Sequence, residues 1–123
     1  MRVIKRRLLI MKRVNLFILF FLVFLVIDSW AHPPSDITLE YDKERKILKI
    51  LLKHVTEDIQ EHRIRKIIVT KNNEEPLKFY YSSQTSPKEF IQEISLEAQS
   101  GDTIVVKAIC SQAGNKEETL LVP

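Results

Sequence analysis

From residue 37 onward the chain alternates between hydrophobic and polar positions in short runs, which polar, turn-forming segments separate. An alternation with a period of two is typical of strands that bury one face in a core. The run ILKILLKH puts Leu48, Ile50 and Leu52 on one face, and His54 continues the same parity. The run TIVVKAIC is built in the same way, and its apolar face ends in Cys110. Both runs therefore predict a strand whose inward face ends in a chemically reactive side chain.

Seven such runs follow one another, with turn signals such as NNEE and AQSGD between them. Their sequences are ITLEY, ILKILLKH, IRKIIVTK, LKFYYS, FIQEISL, TIVVKAIC and TLLV. No segment after residue 31 has a convincing helical periodicity. Short strands at this spacing predict an all-β fold, an immunoglobulin-like antiparallel β-sandwich of about seven strands. Four aromatic residues are expected to fill its core or rim: Phe79, Tyr80, Tyr81 and Phe90.

The first part of the chain does not follow the alternating pattern. Basic residues precede the unbroken apolar run Leu16–Ile27, and the small residues Ser29 and Ala31 come shortly after it. A basic segment, a hydrophobic segment and small residues before a cleavage point are typical of a secretory signal peptide. We therefore predict a signal peptide at residues 1–31. Without cleavage the segment is a membrane anchor, although its apolar run is shorter than the roughly 20 residues of a spanning helix.

Cleavage after residue 31 leaves an exported domain at residues 32–123, periplasmic or extracellular, whether translation starts at Met1 or at Met11. It also changes the charge, because six of the 19 basic and one of the 16 acidic residues are removed. The domain then has 13 basic and 15 acidic residues, a net charge of −2. No basic stripe remains, so we expect neither a nucleic-acid partner nor a stable membrane association.

The reactive side chains of the domain are Cys110, the one cysteine of the chain, and the three histidines His32, His54 and His62. A single cysteine cannot form an internal disulfide, so stability must come from a packed core. His54 and His62 flank the predicted loop between the second and third strands, and Cys110 precedes the loop between the sixth and seventh. These loops meet at one end of an immunoglobulin-type sandwich.

The predicted convergence of imidazole nitrogen and thiolate sulfur suits iron, copper or zinc better than calcium or magnesium. Two plainer interpretations stand beside this one. An isolated histidine at a strand end is commonly a surface or capping residue, and a lone cysteine is commonly a small buried hydrophobic residue. The acidic residues near the histidines, Glu57, Asp58 and Glu61, could accept hydrogen bonds from the imidazoles or simply keep the loop soluble.

Three segments together resemble the iron-binding domain of the desulfoferrodoxin and superoxide reductase family. They are HPP at 32–34, KHVTEDIQEHRIRKIIV at 53–69 and GDTIVVKAICSQAG at 101–114, and they cover essentially the whole domain in the family's order. The resemblance implies an immunoglobulin-like sandwich that binds mononuclear non-haem iron (Fe2+/Fe3+) through equatorial histidines and an axial cysteine. It also implies reduction of superoxide to hydrogen peroxide, with superoxide and an unknown electron donor as partners.

Transferred to this chain, the resemblance implies His32, His54 and His62 as equatorial ligands and Cys110 as the axial ligand. Two positions depart from the family's pattern. The segment CSQAG has Ala113 where the family has a fourth histidine, and the Glu-Lys pair that precedes the family's first histidine is missing. The resemblance thus transfers the fold and part of the metal site, and it leaves the reaction open.

Two other functions fit the same residues. Cleavage before His32 would free its α-amine, which with the three imidazoles makes four nitrogen donors and resembles a copper-binding histidine brace. The protein would then be a copper- or other metal-binding carrier without turnover. The remaining alternative is a non-catalytic immunoglobulin-like binding module without a metal ion. A homo-oligomer is compatible with all three functions.

Overall fold

The computed structural model describes residues 32–123, and these residues belong to one compact unit. They form seven strands and no helix. The strands are β1 (Asp36–Asp42), β2 (Ile47–Lys53), β3 (Ile64–Lys71), β4 (Leu77–Tyr80), β5 (Glu89–Ser95), β6 (Thr103–Cys110) and β7 (Asn115–Leu121). The prediction of an all-β domain with about seven strands is therefore confirmed.

The strands pair into two antiparallel sheets that form a β-sandwich. One sheet has the order β1-β2-β5 and the other the order β4-β3-β6-β7. The fourth strand pairs with the third, whereas in the constant-type immunoglobulin arrangement it joins the sheet of the first, second and fifth. β1 also lies against β7, which brings the two sheets together along that side.

The core lies between the sheets and consists of the apolar faces that the alternation predicts. In β2 the inward residues Leu48, Ile50 and Leu52 are completely buried. Across the core, the inward residues of β6 are buried as well, and Phe90 of β5 packs edge-on against Tyr81 with ring centroids 4.8 Å apart. Each large apolar side chain buried in this way contributes about 1.5–3 kcal/mol to stability. Core packing thus holds the ends of β2 and β6 in place.

Two details differ from the sequence-based expectation. β7 begins at Asn115, four residues before the apolar run TLLV, because its polar first half pairs with β6 at the edge of the sheet and needs no buried face. The expectation that Tyr80 fills the core or rim is wrong, since this residue is 68% exposed. Neighbouring residues of a strand point to opposite faces, so Phe79 packs inward and Tyr80 points outward, under the ammonium group of Lys66.

The predicted signal peptide falls on residues 1–31, which lie outside the residues that the structure describes. Within residues 32–123, no helix has the length and hydropathy needed to cross a membrane.

Candidate metal centre

His54 is held inside the sandwich at the end of β2. It follows the last residue of the strand and continues the inward parity of Leu48, Ile50 and Leu52, so its side chain is completely buried. Its backbone N–H donates a hydrogen bond of 3.1 Å to the carbonyl of Lys88, in the loop before β5. The strand register and this hydrogen bond therefore place an imidazole where the pattern would otherwise put another aliphatic core residue.

The β2–β3 loop turns around Asp58 and brings His62 back to His54. The carboxylate of Asp58 accepts hydrogen bonds from the backbone N–H groups of Gln60 and Glu61, at 3.0 and 3.1 Å. The backbone carbonyl of Asp58 accepts a third hydrogen bond, of 2.9 Å, from the N–H of His62. The imidazoles of His54 and His62 end with their ring centroids 4.8 Å apart and nearly perpendicular, at 87°.

Cys110 reaches the same place from the opposite sheet. It is the last residue of β6, lies opposite Ile64 in the β3–β6 ladder and is 4% exposed. The next residue, Ser111, donates its N–H to the carbonyl of Arg63 at 2.8 Å, and its hydroxyl oxygen accepts the N–H of Arg63 at 3.0 Å. The β6–β7 loop is thus bound to the residue that follows His62, which fixes the thiol relative to that imidazole.

His54, His62 and Cys110 converge as the loop arrangement predicts. One ring nitrogen from each histidine and the thiol sulfur all lie within 4.8 Å of one another. Bonds to one ion of about 2.0–2.1 Å from nitrogen and 2.3 Å from sulfur place tetrahedral ligands about 3.3–3.6 Å apart. Side-chain movements on the order of 1 Å would therefore bring the three atoms onto one ion.

The two imidazoles have the free nitrogens that a metal site requires. Nε2 of His54 and Nε2 of His62 are buried and have no hydrogen-bond partner among the described residues. Burial lowers the pKa of His54, because desolvation disfavours the imidazolium, and the neighbouring His62 and His32 rings act in the same direction. The hydrogen bond to Gln84 and the nearby backbone of His32 oppose this shift. A neutral imidazole at neutral pH is the form that binds metal ions.

His32 stands beside this group without being part of it. Its ring centroid is 5.3 Å from those of both His54 and His62, and the side chain is exposed. The segment that carries it is fastened to β2, since the N–H of Ser35 donates to the carbonyl of Lys53 at 2.8 Å. The structure therefore brings three of the four predicted ligands together and places the fourth at the rim.

The residue that sequence reasoning missed is Gln84, in the loop between β4 and β5. It is 2% exposed, and its Oε1 lies 2.7 Å from Nδ1 of His54. Its surroundings in the sequence, SSQTS, read as a solvated turn, so no local pattern could have identified it. Among the described residues, the acidic side chains of the β2–β3 loop make no hydrogen bond to either imidazole. Ala113 is half-buried in the β6–β7 loop.

No protein-family model, curated protein or solved structure matches this chain. The case for a metal centre accordingly depends on the geometry of the site. Two imidazoles and a thiol form a donor set typical of iron, copper or zinc sites and unsuited to calcium or magnesium. The described residues His54, His62 and Cys110 can hold a metal ion, and their positions do not specify which one.

Proposed function

We propose that the protein is an exported iron-binding protein that reduces superoxide to hydrogen peroxide by one electron. The observation that supports it is the pair of buried Nε2 atoms that have no hydrogen-bond partner within residues 32–123, in the two histidines that lie close to the thiol of Cys110. A buried polar atom without a partner costs about 1–3 kcal/mol. Coordination of a metal ion would satisfy both nitrogens at once, and a site kept for packing alone would carry aliphatic side chains there.

In this proposal His54, His62 and Cys110 would hold the iron ion, and His32 would stand beside it at the exposed rim. The ligand roles follow the resemblance to the desulfoferrodoxin and superoxide reductase family. A bound ferrous ion would supply one electron to superoxide, which takes up two protons to form hydrogen peroxide, and an external electron donor would return the electron. The protein's own contribution is to keep the thiolate and the nitrogens on one buried side and to leave the His32 side accessible.

The direct test is the metal content of the protein as it is exported and processed. We expect about one iron per chain and, on oxidation of the ferrous protein, a visible thiolate-to-ferric charge-transfer band. Rapid mixing of the ferrous protein with superoxide should make this band appear and yield one peroxide per superoxide. Iron that binds without the band, or peroxide formed at the rate of spontaneous dismutation, would contradict the proposed reaction.

A copper- or other metal-binding carrier without turnover is the second candidate. The observation that favours it is the incomplete imidazole set, with Ala113 in place of a fourth histidine and His32 exposed beside the other rings. In such a carrier the α-amine of a processed His32 would complete the nitrogen donors. Chains that begin at His32 should then bind Cu2+ much more tightly than chains that keep one extra residue before it. Equal affinities would contradict this role of the α-amine.

The same metal measurement also decides the third alternative. A processed protein that retains no stoichiometric metal, and that binds neither Fe2+ nor Cu2+ when these are added, would be a non-catalytic immunoglobulin-like module. The buried unpartnered nitrogens argue against this alternative, because they would then lower stability without a compensating role.

A further inference from the structure

Gln84 makes four hydrogen bonds that join its own β4–β5 loop to the β2–β3 loop around His54. Its side-chain Nε2 donates to the carbonyl of His54 at 2.6 Å and to the carbonyl of Ser86 at 2.8 Å. Its backbone N–H donates to the carbonyl of Ile59 at 2.9 Å, and its Oε1 lies 2.7 Å from Nδ1 of His54. A glutamine with all these partners and 2% exposure has only one orientation available.

The partners of the amide nitrogen determine how the amide is oriented. Both are carbonyl oxygens, which only accept hydrogen bonds, so the NH2 group of Gln84 must face them. A flipped amide would put its oxygen against two carbonyls and leave both unsatisfied. Oε1 therefore faces Nδ1 of His54, and because Oε1 can only accept, Nδ1 must carry the proton. In the neutral imidazole of His54 the lone pair then lies on Nε2.

This lone pair belongs to the nitrogen that the candidate site needs. Nε2 of His54 is buried, has no partner among the described residues and belongs to the ring beside His62 and Cys110. In the opposite tautomer Nε2 would carry a hydrogen into this position and could not bind a metal ion. The hydrogen bond made by the second ring nitrogen is a general means of orienting a metal-binding histidine.

We propose that Gln84 is a positioning residue that holds His54 in the Nδ1–H tautomer and so directs the Nε2 lone pair into the candidate metal centre. The role of Gln84 in metal binding rests on the proposed function. The tautomer of His54 is a property of the metal-free protein and does not depend on that function. Gln84 touches no ion in this assignment and acts through His54 alone.

The first experiment measures the tautomer without any metal. Long-range 1H–15N NMR of the metal-free protein at about pH 8, above the ordinary imidazole pKa of about 6.5, distinguishes protonated from unprotonated ring nitrogens. We expect a protonated Nδ1 and an unprotonated Nε2 for His54. A proton on Nε2 in the wild-type protein would overturn the inference, whatever metal the protein binds.

The second experiment separates positioning from structural support with two variants. Gln84→Met removes the acceptor for Nδ1–H, whereas Gln84→Glu keeps an oxygen acceptor, and both lose the two donated hydrogen bonds to carbonyls. Both should unfold at lower denaturant concentration than the wild type. Only Gln84→Met should lose the Nδ1–H tautomer and weaken Co2+ binding, by about 10- to 100-fold, as is usual when the partner of a metal-binding histidine is removed.

The matched control is Gln92→Met, which makes the same substitution in β5 opposite Ile50 and should leave Co2+ affinity unchanged. Equal loss of Co2+ affinity in Gln84→Met and Gln84→Glu, in step with their loss of stability, would reduce Gln84 to a structural residue and overturn the inference. Failure of the wild type to bind Co2+, Fe2+ or Cu2+ would overturn the proposed function instead. In that case the NMR result would still decide whether Gln84 sets the tautomer.

Discussion

At the scale of single residues, His54 and Cys110 occupy positions that the strand pattern assigns to apolar core side chains. Each ends the inward face of a strand, and each is almost or completely buried. The parity of the two runs was enough to predict their burial. It was not enough to predict what each side chain contacts, because alternation determines the face of a sheet and says nothing of the residues across the core.

Replacing Cys110 tests the role of the thiol. We expect Cys110→Ser to abolish the visible charge-transfer band of the oxidised iron protein, because a hydroxyl is a poor substitute for thiolate as an iron ligand. The buried hydroxyl should lower the free energy of unfolding of the metal-free protein by only about 1–3 kcal/mol, which leaves the fold intact. Visible spectroscopy and denaturant unfolding measure the two effects.

Cys110→Ala is the control for packing, since it removes the sulfur without adding a buried hydroxyl. If the alanine variant keeps iron and the band, the thiol is not a ligand. If either variant fails to fold, the main role of the thiol is packing in the core and not metal binding.

At the scale of elements, the candidate metal centre depends on how the loops are joined to one another. The N-terminal segment crosses the β6–β7 loop, where Gly114 has a φ of 72°. A Cβ atom on Gly114 would lie 3.0 Å from Cβ of Pro33. This glycine therefore permits both the turn of the loop and the close passage of the segment that carries His32.

Gly114→Ala should act on stability and on the metal centre together. The left-handed conformation alone costs a residue with a side chain about 1–2 kcal/mol. The contact with Pro33 should in addition displace His32. Co2+ affinity should then fall by the amount that His32 contributes to it. Denaturant unfolding and Co2+ titration provide the two measurements.

Gly101→Ala is the matched control, because Gly101 has a φ of 90° and nothing within 4 Å of an added Cβ. It should show a similar loss of stability with unchanged Co2+ affinity. An equal loss of affinity in both variants would mean that His32 is not displaced through Pro33.

The opposite end of the sandwich has an acid-sensitive turn at Asp102. Hydrogen bonds from the N–H of Gln99 and from the side-chain amide of Asn72 lower the pKa of Asp102. A carboxyl group whose pKa is lower in the folded than in the unfolded state stabilises the fold above the unfolded value of about 3.9, and this stabilisation is lost as the pH falls through the folded value.

Asp102→Asn should therefore lower stability at neutral pH, and the difference from the wild type should shrink as the pH falls below about 4. Denaturant midpoints measured from about pH 7 down to about pH 3 test this. A stability difference between the two proteins that stays constant over the whole pH range would show that the charge of Asp102 does not contribute to stability.

At the scale of the whole molecule, a metal ion would join the two sheets through one point. His54 follows a strand of the three-stranded sheet, whereas Cys110 ends a strand of the four-stranded sheet, and His62 lies in the loop between the sheets. Because these ligands come together only in the folded state, an ion bound by all three stabilises the native protein selectively.

We therefore expect Co2+ or anaerobic Fe2+ to raise the thermal midpoint of the wild-type protein. At a free metal concentration 100 times the dissociation constant, the stabilisation should be about 2.7 kcal/mol. For a domain of this size that corresponds to a rise of about 10–20 °C. A chelator should reverse it, and His54→Leu should not show it. A wild-type midpoint that is unchanged by every candidate metal would contradict the metal centre itself.

The local pattern of the chain was sufficient for the strands, their inward faces and the grouping of His54, His62 and Cys110 at one end. These properties follow from periodicity and from the short connections that a sandwich permits. The hydrophobic pattern did not predict the start of β7, because an edge strand can be polar and still form its hydrogen bonds with the neighbouring strand.

Only the tertiary structure decided that Gln84 reaches His54, that His32 stands at the rim and that the fourth strand joins the second sheet. Each of these depends on contacts between segments distant in sequence. The local sequence does not distinguish a polar loop residue that is buried from one that is exposed to water. The imidazoles could be located from the chain alone, but which of their nitrogens is free is determined by a hydrogen bond made across 30 residues.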